Sequence, residues 1–390
     1  MKQDFAQHYI IFDIDSDSIG ALVFEKILNT KTKKDSYSEI FTVRKNINTQ
    51  QGFSFDMFFL RTLSVFNDVA VAAHKYSGNN IANIYINISA PWVSSQKRVL
   101  HYKKDKEFVF TKDIEKQILE KELEKSLKQT YDFKDFNNLE LVEQRTLDIY
   151  ANGYPARSPY GKSVLDVDIH SLVSVMSADT KQSFNHVVER NFHRDAVFFS
   201  NTLMGYDSLT QLFPHENNIL SMDISGEVTE ISIIIDDHLK KNGVVPFGSA
   251  GVIRKLAELL QIPYQKAESL MVLYQENHLE ENYRNQVESA MKKAFIFWFK
   301  EIYSFLGTVS AEHKIPSTIM LLAPENIQNW FNEWLLKTEE IKEHFSGQKP
   351  IALLDISSKF RDKNNMQFAG ISDENLALAL WFVENSFLKK

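Results

Sequence analysis

The chain has 390 residues, of which 44% are hydrophobic and 24% are charged, a composition typical of a folded globular protein. A chain of this length exceeds one ordinary core and predicts about two to four subdomains. Its 44 basic and 51 acidic residues are mixed along the sequence, which argues against a basic surface for nucleic acid or for an anionic membrane. We therefore expect no nucleic-acid partner.

The chain contains no cysteine, which excludes disulfides, thiolate metal sites and cysteine nucleophiles. This composition suits a reducing compartment, and the short polar N-terminus lacks the apolar core of a signal peptide. The longest aromatic run, Phe295 to Phe299, is too short to span a membrane and predicts a buried helix. These features predict a cytoplasmic protein.

Two similar hairpin patterns lie far apart in the chain. In each, an apolar strand ends on Asp, a polar turn follows and a second apolar strand begins. The first turn covers Asp13 to Ser18 and the second covers Asp223 to Val228. The Asp-Ile pair shared by both turns favours two related lobes, although two unrelated hairpins would give the same pattern.

A small α+β module is predicted between the hairpins. It begins after an apolar strand at Ile84 to Ile88 and includes an amphipathic helix from Thr111 to Gln129. A turn-rich stretch from Asn152 to Gly161 then precedes an alternating strand from Val164 to Val175. The inward face of the helix is predicted to carry Ile114, Ile118, Leu123 and Leu127.

After the second hairpin the pattern is mostly helical. The segment from Gly243 to Gly251 opens a helix whose predicted inward residues are Val252, Leu256, Leu259 and Leu260. Two apolar runs, Pro316 to Leu322 and Ile351 to Leu354, predict buried strands, and Asn375 to Phe387 predicts a closing helix. The alternation of sheet and helix indicates an α/β protein with two related lobes and one insert.

In this order, the landmarks resemble those of the FtsA and PilM branch of the actin-like ATPases over nearly the whole chain. The resemblance implies a two-lobed actin-like, ribonuclease H-like fold with a small α+β subdomain of the SHS2 type inserted in the first lobe. It implies a first lobe formed by residues 1–90 and 173–218, an insert at 91–172 and a second lobe at 219–350. Residues 351–390 would form a strand and helix that close the fold.

The same resemblance implies ATP and Mg²⁺ as ligands. In this family the backbone N–H groups of both hairpins face the phosphates, and the Asp at each strand end orients Mg²⁺ through water. Asp13 and Asp223 would then position the metal. The residues that would contact a bound nucleotide are Asp13, Ser16, Ser18, Asp223, Gly226, Glu227 and Gly248.

Three departures from the family pattern count against efficient hydrolysis. Asp15 stands where the first loop has glycine, and one extra carboxylate at roughly 5 Å costs about 3 kcal/mol per unit of phosphate charge at an effective dielectric of about 20. Glu227 replaces a second-loop glycine, a change that PilM-like proteins also show. Ala323 and Pro324 follow a strand where the family has an adenosine-contacting glycine pair, which removes space and backbone freedom.

Other sites receive little support from the sequence. Asp13, Asp15 and Asp17 copy half of a calcium loop, but Ser18 stands where such a loop needs Gly and Phe24 where it needs Glu. No cluster has zinc spacing, and His186 and His193 are predicted to be surface residues on a polar helix. No nucleophile with a partnered base is visible.

The resemblance and the altered loops predict a scaffold or adaptor that binds short tail peptides of division or pilus proteins. The alternative is an active ATPase that binds ATP and polymerises. The C-terminus lacks the amphipathic membrane helix of FtsA proteins, so we expect no direct membrane anchor and recruitment to the inner membrane by a partner.

Overall fold

The computed structural model describes residues 7–28, 35–47, 54–78, 80–128, 138–310, 314–339, 345, 350–361 and 370–389. In chain order the strands are β1 (His8–Ile14), β2 (Ser18–Leu28), β3 (Asp35–Asn46), β4 (Ile81–Ile88), β5 (Ser94–Val109), β6 (Leu139–Ala151), β7 (Tyr154–Pro155), β8 (Ser163–Ser177), β9 (Val197–Ser200), β10 (Ile219–Ile224), β11 (Thr229–Ile235), β12 (His238–Val245), β13 (Thr318–Leu322) and β14 (Ala352–Leu353).

The helices are α1 (Phe55–Ser77), α2 (Lys112–Lys128), α3 (Ala178–Phe192), α4 (Asn201–Leu212), α5 (Ser249–Leu260), α6 (Tyr264–Gln275), α7 (Glu281–Ser310), α8 (Glu325–Lys337), α9 (Ile356–Arg361) and α10 (Glu374–Val383). A π-helical turn, Glu384–Leu388, continues α10. Among the described residues, none of these helices is both long and apolar enough to cross a membrane.

Two five-stranded sheets share one topology. The first has the order β3-β2-β1-β4-β9 and the second the order β12-β11-β10-β13-β14. In each sheet the first three strands form an antiparallel meander, and the other two add in parallel on the far side of the first strand. The repeated topology confirms that the two hairpin patterns belong to two related lobes.

A shared core joins the two lobes. It combines Ile11 and Leu22 of the first sheet with Ile219 and Ile234 of the second, and α4 and α10 pack with them. Every residue from Leu376 to Val383 is buried, so α10 is apolar on all sides and is covered all round. This buried helix is part of the core that the two sheets share.

A third, antiparallel sheet has the order β5-β8-β6-β7, and α2 packs across it. Leu100 and Ile169 of the sheet contact Ile114 and Ile118 of the helix in a small separate core. The turn between β6 and β7 uses left-handed Asn152 and Gly153, as the Asn-Gly pair predicts. The predicted strand-helix-strand module is therefore present, while its assignment to the SHS2 type stays a prediction.

Most of the predicted elements are present, with two corrections. Leu259 is 37% exposed and does not point inward, because α5 ends one residue later and the chain reverses through left-handed Gln261. The segment from Ile351 to Leu354 forms only the two-residue edge strand β14 and is partly exposed, since an edge strand has a neighbour on one side only.

Other predictions from the sequence hold. Phe295, Trp298 and Phe299 are buried in α7, as expected for a core helix, whereas Phe297 of the same run is 39% exposed because it lies on the opposite face. His186 and His193 are exposed. The side chain of Leu127, predicted to face inward from α2, lies outside the described residues.

Candidate functional site

The two hairpin loops adopt equivalent turns. In the first, Asp13 pairs with Gly20 across the strands, and the Asp15 N–H donates to the Ser18 carbonyl over 3.1 Å. In the second, the Ser225 N–H donates to the Val228 carbonyl over 3.0 Å. Each turn therefore closes on itself through a backbone hydrogen bond directly after a strand whose last two residues are Asp and Ile.

The loops contact each other across the cleft between the lobes. The Ser16 and Ser225 hydroxyl oxygens lie 2.7 Å apart, and the Glu227 N–H donates to the Ser16 hydroxyl over 3.0 Å. Gly226 packs so closely on the first loop that a Cβ there would lie 2.7 Å from the Cβ of Asp17. Both serines are buried, so these polar groups satisfy each other without solvent.

The start of α5 holds the second loop from its other side. The N–H groups of Ser249 and Ala250 donate to the carbonyls of Ser225 and Gly226 over 2.8 and 2.9 Å. Free N–H groups in the first turn of a helix commonly bind anions, but these two are already used. Gly248 permits the contact, since a Cβ at that position would lie 2.3 Å from the Ser225 oxygen.

We expect Gly248→Ala to lower the free energy of unfolding by about 1–3 kcal/mol, because its methyl group overlaps backbone atoms that cannot rotate away. Gly205→Ala is the matched control. Gly205 lies inside α4, has no atom within 4 Å of an added Cβ, and should leave stability unchanged or raise it by about 0.5–1 kcal/mol. Chemical denaturation of both variants measures the difference, and equal stability would show that the loop tolerates displacement.

Arg44 of β3 is the main cationic group of the site, and sequence reasoning missed it. Its guanidinium donates to Asp13 over 2.7 Å, to Asp373 over 2.6 and 3.1 Å, and to the Ser18 hydroxyl over 3.0 Å. Asp373 is the N-cap of α10 and accepts the Leu376 N–H over 3.0 Å. The N-cap pattern is visible in the sequence, but nothing there indicates that Arg44 pairs with it.

Amide side chains connect the two Asp residues at the strand ends. Asn87 donates to Asp13 over 2.8 Å, and Asn201 donates to Asp223 over 2.6 Å. The two amides are also linked, from Asn87 Nδ2 to Asn201 Oδ1, over 3.4 Å. Sequence reasoning also missed these residues, because isolated asparagines give no spacing signal.

Glu230 of β11 adds another carboxylate to the cleft. It is buried and accepts hydrogen bonds from the Thr202 hydroxyl and the Ala90 N–H, both of which precede the second sheet in the chain. Burial raises the pKa of Glu230, although both hydrogen bonds oppose the rise.

The carboxylates hold their protons unusually tightly. Burial, followed by repulsion from Asp17, Asp223 and Asp13, raises the pKa of Asp15 well above its ordinary value. Burial raises the pKa of Asp17 to about 6 even though Arg44 lowers it. Burial and then Glu230 raise the pKa of Asp223 to about 8. One guanidinium does not neutralise this many acidic groups, so part of the cluster is protonated near neutral pH.

The segment after β13 is the one that the resemblance compares with an adenosine-contacting glycine pair. β13 ends at Leu322, and Pro324 is the N-cap of α8, with its carbonyl accepting the N–H groups of Ile327 and Gln328 over 2.9 Å.

Arg254 of α5 pairs with Glu227 through two hydrogen bonds of 3.0 and 2.7 Å. The second loop is therefore held by an ion pair on the side that faces α5.

The structure places the predicted contact residues Asp13, Ser16, Ser18, Asp223, Gly226, Glu227 and Gly248 around one cleft, but it engages their polar groups with one another. The carboxylate of Asp13 accepts a hydrogen bond from the Arg44 guanidinium, and the loop surfaces that would face phosphates touch each other. Among the described residues, no group of three or more His, Asp or Glu side chains has the geometry of a metal site. In this arrangement the residues do not fit ATP with Mg²⁺.

No protein-family model and no curated protein matches the sequence. Among solved structures, PilM of the PilM–PilN type IV pilus biogenesis complex is similar over 96% of this chain and 98% of its own, with 13% identity and a TM-score of 0.62.

Two further matches are looser and support no assignment. EutJ, an ethanolamine utilization protein from Carboxydothermus hydrogenoformans, shares 10% identity over 89% of this chain and 84% of its own, with a TM-score of 0.43. A Bacteroides thetaiotaomicron protein of actin-like ATPase fold and unknown function shares 9% identity over 89% and 91%, with a TM-score of 0.38. The likeness to PilM, together with the repeated sheets, identifies the chain as a protein of the two-lobed actin-like ATPase fold.

Proposed function

We propose that this protein is an FtsA-like or PilM-like adaptor that links pilus or division machinery at the inner membrane by binding short segments of partner proteins. Its hydrolysis of ATP is weak or absent. The proposal includes the division of the chain into two lobes with an insert of the SHS2 type at residues 91–172.

The likeness to PilM supports the choice of an adaptor from the pilus side. It extends over nearly the full length of both chains, insert included, and that PilM was solved as part of a complex with PilN. We therefore propose that this chain, too, binds a protein partner.

The observation that carries the proposal is the direct contact between the hairpin loops. The Ser16 hydroxyl hydrogen-bonds to both the Ser225 hydroxyl and the Glu227 N–H, between the two loops that the family resemblance assigns to phosphate binding. A protein with these contacts keeps the two-lobed shape without a nucleotide, which suits an adaptor and not an enzyme that must exchange ATP for ADP.

A two-bait capture experiment tests the adaptor role. Immobilised peptides from the FtsZ C-terminal tail and from the cytoplasmic N-terminus of the pilus membrane partner are offered to the purified protein, with scrambled peptides as controls. We expect one authentic peptide, and the pilus one in particular, to retain the protein. Retention by neither peptide would contradict the proposed role.

Calorimetry and a phosphate-release assay test the enzyme alternative, which the gathering of Asp13 and Asp223 in one cleft favours. We expect neither micromolar affinity for ATP with Mg²⁺ nor turnover. Micromolar affinity together with turnover that Asp13→Ala abolishes would replace the adaptor proposal by an active ATPase.

A further inference from the structure

We propose that side chains of this protein take the places of the nucleotide and its metal, with Ser16 standing in for a phosphate oxygen and Arg44 for the cation. The lobes are then held closed by the chain itself. This inference deepens the proposed function, on which its meaning for partner binding rests, but its test does not require a partner.

Ser16 acts as the phosphate surrogate. A phosphate bound by a hairpin loop accepts hydrogen bonds from the loop's backbone N–H groups. The Ser16 hydroxyl does the same when it accepts the Glu227 N–H over 3.0 Å, and it also contacts the Ser225 hydroxyl over 2.7 Å. Ser16 is 1% exposed and therefore fills the space between the loops from within the first lobe.

Arg44 acts as the resident cation. Buried carboxylates require a positive partner, and in nucleotide enzymes a metal ion commonly supplies part of that charge. Here the guanidinium binds Asp13 and Asp373 together and holds Ser18 as well. The side chain of Arg44 is 24% exposed and that of Asp13 is 3% exposed, so the pair is formed largely away from water.

Further contacts across the cleft agree with a permanently closed state. Glu230 of the second sheet accepts hydrogen bonds from Thr202 and Ala90, and Asn201 donates to Asp223. These hydrogen bonds join the segments that follow β4 and β9 to the second sheet, in addition to the contact between the loops. Opening the cleft for a nucleotide would leave these buried groups without partners.

Disulfide trapping tests the closed state, because the natural chain has no cysteine and any introduced pair is the only one. We would make Ser16→Cys/Ser225→Cys, because the two hydroxyl oxygens that the sulfur atoms would replace lie 2.7 Å apart, close to the length of a disulfide bond. The control is Ser64→Cys/Ser225→Cys, which keeps one cysteine and moves the other to the exposed side of α1. Both are treated with a mild oxidant, with and without millimolar MgATP, and free thiols are counted.

We expect the two cysteines introduced by Ser16→Cys and Ser225→Cys to form a disulfide rapidly within one molecule. The cysteines of the control variant should stay reduced, and MgATP should leave the rate of disulfide formation unchanged. A nucleotide between the loops at about ten times its Kd would slow the reaction about tenfold, because only unliganded molecules would react. Slower trapping in MgATP, or no trapping at all, would overturn the proposal.

A second measurement uses the unmodified protein in case the double variant does not fold. MgATP should leave its Tm unchanged, and a Tm that rises with ligand concentration would overturn the proposal. The trapped protein can also be offered to the two partner peptides. Efficient trapping without peptide capture would refute the adaptor role alone, whereas capture without trapping would refute the surrogate role alone.

Discussion

Arg44→Ala is expected to lower the free energy of unfolding by about 3–5 kcal/mol, because it leaves two carboxylates without their cation in a largely buried site. Asp13 loses its ion pair, and the N-cap Asp373 loses the group that connects α10 to β3. Urea denaturation followed by circular dichroism measures the change.

Two controls make the comparison specific. Lys45→Ala alters the next residue of β3, whose side chain is 44% exposed and lies 3.7 Å from an exposed Asp68, so its effect should stay within about 0.5 kcal/mol. Asp13→Asn combined with Arg44→Ala should recover part of the loss, because the unpaired charge is removed. If Arg44→Ala cost no more than Lys45→Ala, the guanidinium would not stabilise the cleft.

Stability is expected to fall as the pH rises from about 5 to about 8.5, by roughly 2–4 kcal/mol or about 2–5 °C in Tm. The carboxyls of Asp17 and Asp223 have folded pKa values of about 6 and about 8, above their ordinary value of 3.8. A raised carboxyl pKa means that the folded state holds the proton more tightly. Its stabilisation is complete below 3.8 and is lost as the pH rises through the folded pKa.

The pKa of Asp373 is shifted in the opposite direction. Burial alone would raise its pKa, but Arg44 outweighs burial and lowers the pKa, so its contribution is lost only as the pH falls below the ordinary value. Stability should therefore be greatest in mildly acidic solution. Thermal unfolding at constant ionic strength, with a chelator to remove divalent ions, measures the profile.

Asp223→Asn is the control for the pH profile. An asparagine oxygen can still accept from Asn201, while the titration near pH 8 disappears, so the fall between about pH 7 and pH 8.5 should flatten. A wild-type Tm that rose over the same interval would contradict the raised pKa values.

The sequence by itself determined the fold class and the position of the cleft. Alternating and continuous apolar runs set the strands, and the Asp-Ile pair marked the two loops that the structure places in equivalent turns. The strands and the two loops could be predicted because each depends on neighbouring residues, where propensity and periodicity act. The poor nucleotide site that Asp15, Ala323 and Pro324 indicate stays a prediction.

Only the tertiary structure decided what fills the cleft. Arg44 meets Asp13 and Asp373, and Ser16 meets Ser225, through pairs that lie far apart in the chain and carry no spacing signal. The exposed Leu259 shows the same limit, since periodicity gives the face of a helix but not the length over which a neighbour covers it. The sequence thus determined where the two loops form, whereas the tertiary structure decided that they touch. Burial brings together groups that are distant in the chain and leaves their charges no other partners.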